Sequence, residues 1–93
     1  MSNQRFSSVW DAIEDTPEEA ENMKLRSVLM TALRNHLTRA DMTQAQAAKL
    51  LGVTQPRVSD LMRGKINLFA LDALVNMVTA AGLIVEMRVL EAT

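Results

Sequence analysis

Gln55, Pro56, Arg57 and Ser59 form a short block of side chains that can recognise another molecule without breaking covalent bonds. The amide of Gln55 can donate and accept hydrogen bonds at once, the guanidinium of Arg57 can donate two in parallel, and the hydroxyl of Ser59 can do either. In the major groove of DNA these groups match, in turn, adenine, guanine and either base, and Pro56 can contact the methyl group of thymine. These four residues are therefore candidates for base readout, provided that the fold places them at the end of an element that can enter the groove.

Bond-making chemistry finds little support elsewhere in the chain. The 93 residues contain no Cys and a single His, His36, which falls on the apolar side of a predicted helix and is expected to pack there. The sequence shows no glycine run that would hold a phosphate group and no pair of carboxylates beside a plausible base. A metal site would need further ligands at suitable spacing around the His, and none is visible. We predict no enzyme activity, no metal and no cofactor.

The stretch from residue 44 to residue 62 has the pattern of a helix-turn-helix. Two short helices can cross at roughly 90–120° through a short turn. The crossing needs a small residue where the helices touch, which is Ala48, and a turn residue free to adopt positive φ, which is Gly52. The apolar anchors before, within and after the turn are Ala47, Leu51, Val53, Val58 and Leu61.

The outward face of the second helix follows from its apolar side. With Val58 and Leu61 inward, a rotation of about 100° per residue leaves the base-reading block at the N-terminal end, which usually enters the major groove. Asp60 is also outward, where it could accept a hydrogen bond from cytosine or simply neutralise nearby positive charge. The basic residues expected to contact phosphate are Lys49, Arg63 and Lys65.

Local signals place the other helices. Thr16 and Pro17 predict the start of a long helix that continues to about Arg39, and a fourth helix is expected at about residues 70–81, before Gly82. Thr43 and Gln46 form a second capping box, Thr54 is a third cap, and the spacing of Phe6, Val9, Trp10 and Ile13 favours a short helix near 8–14. The apolar pattern of the long helix consists of Met23, Val28, Leu29, Ala32, Leu33, His36 and Leu37.

Residues 83–89 (LIVEMRV) have the composition and alternation of a β-strand. A lone strand leaves its backbone N–H and C=O groups unpaired, and no second strand is convincing elsewhere in the chain. We expect it to pair with the same strand of another copy across a two-fold axis; the alternative is irregular coil packed on its own core. The side chains expected at this dimer contact are Leu83, Val85, Met87 and Val89.

Charge is segregated along the chain. Residues 1–23 carry one basic and six acidic residues, residues 24–65 eight and two, and residues 66–93 one and three, so the net charges are −5, +6 and −2. The total of −1 therefore hides a basic centre of the kind that nucleic-acid binding requires. Phe6 and Trp10 give the acidic leader two aromatic anchors, which suit docking on a basic partner or packing against its own core.

The stretch MTQAQAAKLLGVTQPRVSDLMRGK resembles the λ-repressor/Cro-like (XRE) family of DNA-binding proteins. With its acidic Val-Trp-Asp leader and LIVEMRV tail, the chain resembles more narrowly the HigA-type antitoxins, which are DNA-binding partners of RelE-like ribonuclease toxins. The resemblance covers residues 24–82 well and the two ends loosely. It implies an all-α fold, a λ-repressor-like helix-turn-helix bundle of four to five helices, with the C-terminal strand paired across a dimer.

The resemblance also implies particular residue roles. Gln44 resembles a family Gln that binds backbone phosphate and braces Gln55, and Thr43, at the same helix end, is also expected to contact phosphate. Pro56 replaces a small polar residue often found in the family, and Asp60 places a negative charge on the outward face, so base readout at these two positions departs from the family pattern.

Together these patterns predict three segments: an acidic leader at 1–23, a helix-turn-helix domain at 24–82 and a dimerisation strand at 83–93. The expected function is a cytoplasmic, homodimeric repressor that binds a palindromic double-stranded operator and serves as the antitoxin of a basic RelE-like toxin. A free-standing phage-type repressor and an interaction adaptor that does not bind DNA are the alternatives. No stretch has the length of a membrane span or the layout of a signal peptide.

Overall fold

Four α-helices and one 3₁₀ helix account for the secondary structure of residues 16–92, the part of the chain that the computed structural model describes. No β-strand is present within that range. In chain order the elements are α1 (Pro17–Arg39), α2 (Gln44–Leu51), α3 (Gln55–Met62), the 3₁₀ helix (Ile66–Leu68) and α4 (Leu71–Ala80). The helical bundle and the four helix positions expected from the sequence are confirmed, whereas the short helix predicted near 8–14 lies outside the described residues.

Helix α1 starts and ends where its local signals predict. The Glu19 N–H donates to the Thr16 hydroxyl oxygen at 3.0 Å, and Pro17 occupies the first turn, where its missing N–H costs nothing. After Arg39 the chain turns through Asp41, which has φ 55°. Asp tolerates this left-handed region better than most residues.

The buried face of α1 differs from the predicted one. Met30, Leu33 and Leu37 are the residues of this helix in the core, whereas Val28 is 60% exposed and Ala32 is also exposed. The sequence pattern of α1 allowed two neighbouring apolar stripes. The stripe that is buried is the one that faces α4 and the helix-turn-helix.

One core joins all the elements. Helix α1 packs mainly on α4, and α2 packs mainly on α3. The predicted anchors of the helix-turn-helix are all buried except Val53, which packs partly buried against the same cluster. Phe69, just after the 3₁₀ helix, is 1% exposed and belongs to this core. The residues of the core are Met30, Leu33, Leu37, Ala47, Ala48, Leu51, Val58, Leu61, Phe69, Leu74, Met77 and Val78.

The C-terminal residues 83–92 do not form the predicted strand. Leu83 packs partly buried against the core, and its N–H donates to the Val78 carbonyl at 3.1 Å. From residue 84 on, the side chains are exposed, with Ile84 and Val89 each 88% exposed. A strand requires a hydrogen-bonded neighbour, and the described chain offers none to this segment. The segment is therefore not a strand in the single chain, and the predicted strand, which depends on pairing between two copies, stays a prediction.

Candidate nucleic-acid interface

The turn between α2 and α3 holds the two helices rigidly. Gly52 adopts the left-handed conformation with φ 71° and ψ 33°, as the helix-turn-helix pattern predicts. The next residue, Val53, donates its N–H to the Ala48 carbonyl at 3.0 Å. Ala48 itself is buried, so its methyl group allows the close approach of the helices. Buried contacts and the backbone conformation of the turn therefore set the orientation of α3 relative to α2.

The first turn of α3 presents side chains and little free backbone. The Thr54 hydroxyl accepts from the Arg57 N–H at 3.3 Å, and Pro56 has no N–H. Gln55 and Pro56 are exposed, and Ser59 is half-buried one turn later. The groups that this end of α3 presents to solvent are therefore mainly side chains.

The first turn of α2 leaves more of its backbone N–H groups unpaired. Thr43 and Gln46 form the predicted capping box: the Gln46 N–H donates to the Thr43 hydroxyl at 3.1 Å, and the Thr43 N–H donates to the Gln46 side-chain oxygen at 2.9 Å. The N–H groups of Gln44 and Ala45 have no partner among the described residues, and both residues are exposed. Unpaired N–H groups at a helix start attract phosphate oxygens. The exposed amide of Gln44 stands beside them.

The side chain of Arg57 is bound within the chain, whereas the sequence predicts that it is free to contact a base. Its Nη1 donates to the Leu68 carbonyl at 2.7 Å, and its guanidinium carbon is 4.1 Å from the centre of the Phe69 ring. These are a charge-assisted hydrogen bond and a cation–π contact to the segment that follows α3. Guanine readout would require the guanidinium to leave the Leu68 carbonyl. That role stays a prediction.

Arg26 of α1 holds the same segment from the other side, and sequence reasoning missed it. Its Nη1 lies 3.4 Å from both the Ile66 and the Phe69 carbonyl oxygens. Three carbonyls in and just after the 3₁₀ helix, those of Ile66, Leu68 and Phe69, thus accept from arginine side chains. A signal was available in the sequence, because Arg26 falls four residues before Met30 on the buried stripe of α1. A charged residue in an apolar stripe indicates a polar partner on the neighbouring element.

The predicted phosphate contacts lie at the surface. Lys49, Arg63 and Lys65 are all exposed. Asp60 pairs with Lys65, with 3.6 Å between carboxylate and ammonium, which favours neutralisation of positive charge over cytosine recognition. The pair is partly exposed, so it is weak and salt-sensitive. Lys49 and Arg63 have no ion-pair partner among the described residues.

The chain matches a family of helix-turn-helix domains over residues 12–90. The protein belongs to that helix-turn-helix family. A solved structure assigned to the XRE family of transcriptional regulators is also similar, with 33% identity, a TM-score of 0.71, and coverage of 77% of this chain and 81% of that chain. The XRE-like resemblance is thereby confirmed. Among proteins with curated descriptions, none matches.

The two matches support a DNA-binding transcriptional regulator. They leave the narrower likeness to HigA-type antitoxins untested. The positions matched by the family include the whole helix-turn-helix, both arginines that hold the 3₁₀ segment, and most of the C-terminal segment.

The other sites expected in this helix-turn-helix protein are only partly described. Leu83 is used within the chain, whereas Val85, Met87 and Val89 are exposed in the single copy. Phe6 and Trp10 lie outside the described residues. His36 is half-buried, and no group of three potential metal ligands occurs among residues 16–92. Over the same residues, no helix is long and apolar enough to cross a membrane.

Proposed function

We propose that the protein is a dimeric, sequence-specific repressor that reads its operator with the first turn of α3. The observation that carries this is the exposure of Gln55 and Pro56 at the start of α3, together with two N–H groups at the start of α2 that have no partner among the described residues. Base edges and phosphate oxygens are the acceptors that such a surface suits. Gln55, Pro56 and Ser59 then read bases, and Arg57 joins them once it is released from Leu68.

The phosphate contacts in this proposal come from two sources. Gln44, beside the capping residue Thr43, uses its side chain together with the free backbone N–H groups of α2. Lys49, Arg63 and Lys65 add positive charge, which contributes affinity and register but little sequence choice.

A homodimer places two copies of α3 on one side of the DNA. Two recognition helices spaced about 34 Å apart match successive major grooves and a palindromic site. The exposed apolar residues beyond position 83 are the contact we propose for this dimer.

The antitoxin role rests on charge and on two aromatic residues. The leader, residues 1–23, has a net charge of −5, and Phe6 and Trp10 are two of the three aromatic residues in the chain. Acidic side chains around aromatic anchors suit a basic toxin of the RelE-like type. The protein would then repress its own operon and neutralise the toxin by direct contact in the cytoplasm.

DNA binding is tested by selecting duplexes from a random library and then footprinting the upstream region of the protein's own gene. Gln55→Ala should weaken binding to the selected site by about 1–3 kcal/mol and relax selection at one base pair in each half-site. Asn76→Ala, which removes an exposed amide on α4, is the matched control and should leave affinity unchanged. Failure to enrich any sequence would favour the adaptor function.

The toxin partner is tested by co-purification with the product of the adjacent gene. A small basic protein should be retained by the full chain and lost with the double variant Phe6→Ala/Trp10→Ala, while DNA affinity is unchanged. Retention by the double variant would contradict the role of the leader. Absence of any partner in the full chain would favour a free-standing repressor.

A further inference from the structure

The C-terminal segment presents an unused hydrogen-bonding edge. Among the described residues, no backbone hydrogen bond joins residues 84–92 to another part of the chain. Ile84, Met87, Val89 and Leu90 are 88%, 63%, 88% and 72% exposed, an unusual run of apolar side chains in water. Unpaired backbone next to exposed apolar residues is the surface that strand pairing covers.

We infer that residues 84–90 of two copies pair as antiparallel strands centred on Met87, so that Met87 lies opposite the Met87 of the second copy. This inference rests on the dimer of the proposed function and specifies its register. The segment Ile84–Leu90 reads nearly the same, by chemical type, from either end: Ile84 mirrors Leu90, Val85 mirrors Val89, and Glu86 mirrors Arg88 with opposite charge. In the Met87-centred register every apolar side chain therefore faces an apolar one, and each Glu86 faces an Arg88 of the other copy.

Neighbouring registers lose this match. A pair centred on Glu86 sets two carboxylates opposite each other, and a pair centred on Arg88 sets two guanidinium groups opposite each other; like charges directly opposite are destabilising. A shift by a single position in the pairing turns the apolar face of one strand to the other side of the sheet. Of these arrangements, only the Met87-centred one sets opposite charges against each other and keeps the apolar side chains of both strands on the same side of the sheet.

The packing of the segment on its own bundle is compatible with this register. Leu83 and Val85 are the least exposed residues of the segment, and Val85 borders an apolar depression of about 210 Å³ that Val28 and Val75 also line. In the proposed register the partner's Val89 lies beside Val85, on the same face of the two-stranded sheet. The partner strand would thus extend the cover over the depression, where Val28 is exposed.

Single-cysteine variants test the register, because the chain has no native Cys. In an antiparallel pair, opposite Cα atoms are about 4.5–5.5 Å apart, within disulfide range. Met87→Cys should form a covalent dimer on mild oxidation. Val85→Cys alone should not, because two copies of residue 85 would be about 14 Å apart. Mixing the single variants Val85→Cys and Val89→Cys should restore cross-linking.

Charge reversal gives an independent test. Glu86→Arg and Arg88→Glu should each raise the dimer Kd roughly tenfold, because two attractive pairs become repulsive. An equimolar mixture of the two variants, or the double variant Glu86→Arg/Arg88→Glu, should recover the wild-type Kd in sedimentation equilibrium. Helical circular dichroism checks that each variant is folded.

The outcomes separate the register from the dimer and from DNA binding. A dimer in sedimentation with efficient cross-linking of Val85→Cys, and none of Met87→Cys, overturns the register and leaves the dimer intact. A wild-type chain that is monomeric at high concentration overturns both the register and the dimer. Whether the protein binds DNA is decided independently by the selection experiment. Cross-linking of Met87→Cys together with recovery in the charge-swapped mixture supports the register.

Discussion

At the residue scale, the contacts of Arg57 within the chain bear on its predicted role in base readout. Its guanidinium is held by the Leu68 carbonyl and the Phe69 ring, both on the segment after α3. If it also reads a base, DNA must compete with these contacts. Base readout by Arg57 would therefore carry the free-energy cost of breaking these contacts, a cost that readout by the exposed Gln55 does not carry.

Replacing Arg57 should show how much its two contacts stabilise the fold. Arg57→Ala should lower the free energy of unfolding by about 1–2 kcal/mol, because a charge-assisted hydrogen bond and a cation–π contact are lost. Arg63→Ala is the matched control: Arg63 is exposed and its side chain has no bonded partner among the described residues, so its stability should change by less than about 0.5 kcal/mol. Urea unfolding measures both. Equal midpoints for the two variants would show that the contacts of Arg57 do not stabilise the fold.

Gly52 isolates the effect of backbone conformation. A Cβ added at this position would meet nothing within 4 Å, so only the left-handed φ of 71° opposes substitution. Gly52→Val should cost about 1–2 kcal/mol or more. Gly52→Asn should cost less, because Asn tolerates this region. Thermal melts giving the two variants the same Tm would contradict this explanation.

At the element scale, the helix boundaries follow from local chemistry, whereas the buried face of α1 follows from its neighbours. Thr16, Thr43 and Thr54 each cap the helix that the sequence predicted for them. The apolar pattern of α1 did not reveal that Val28 and Ala32 would be exposed. That choice depends on where α4 and the helix-turn-helix pack.

Because one face of α1 is buried and the next is exposed, substitutions at adjacent positions should change the free energy of unfolding by different amounts. Leu33 is fully buried, so Leu33→Ala should lower the free energy of unfolding by about 2–5 kcal/mol. Ala32→Gln, at the next exposed position, should change it by less than about 0.5 kcal/mol. A larger effect at Ala32, measured by denaturant unfolding, would mean that the helix is rotated from the orientation described.

At the scale of the whole molecule, the net charge of −1 conceals a basic central segment between two acidic ends. The basic residues cluster in residues 24–65, and the acidic excess lies at the two ends. Counterion release on DNA binding depends on the local positive surface and not on the net charge.

The salt dependence of operator binding should report this local surface. A dimer using Lys49, Arg63 and Lys65 makes six phosphate contacts, so log K should fall against log salt with a slope of roughly −5. Arg63→Ala should flatten the slope by roughly 2, because each copy loses one contact, and should weaken all sequences alike. Asn76→Ala should leave the slope unchanged. A wild-type affinity that is insensitive to salt would contradict a phosphate-binding interface.

The sequence alone determined the features that depend on neighbours a few residues away. Capping residues, Gly52 and the spacing of Ala47, Ala48, Val58 and Leu61 place α2, the turn and α3, because helix ends and tight turns are decided within about one helical turn of chain. The candidate base-reading block could be found in the same way, since it lies at a predictable helix start.

The tertiary structure decided what depends on distant parts of the chain. Arg26 and Ile66 are forty positions apart, and Arg57 and Leu68 eleven, so a local pattern can indicate that an arginine has a polar partner but not which carbonyl that partner is. Residues 16–92 also offer the LIVEMRV segment no strand partner. Local chemistry determined where the helices begin and end; long-range packing decided which of their side chains are buried, held or left free to bind.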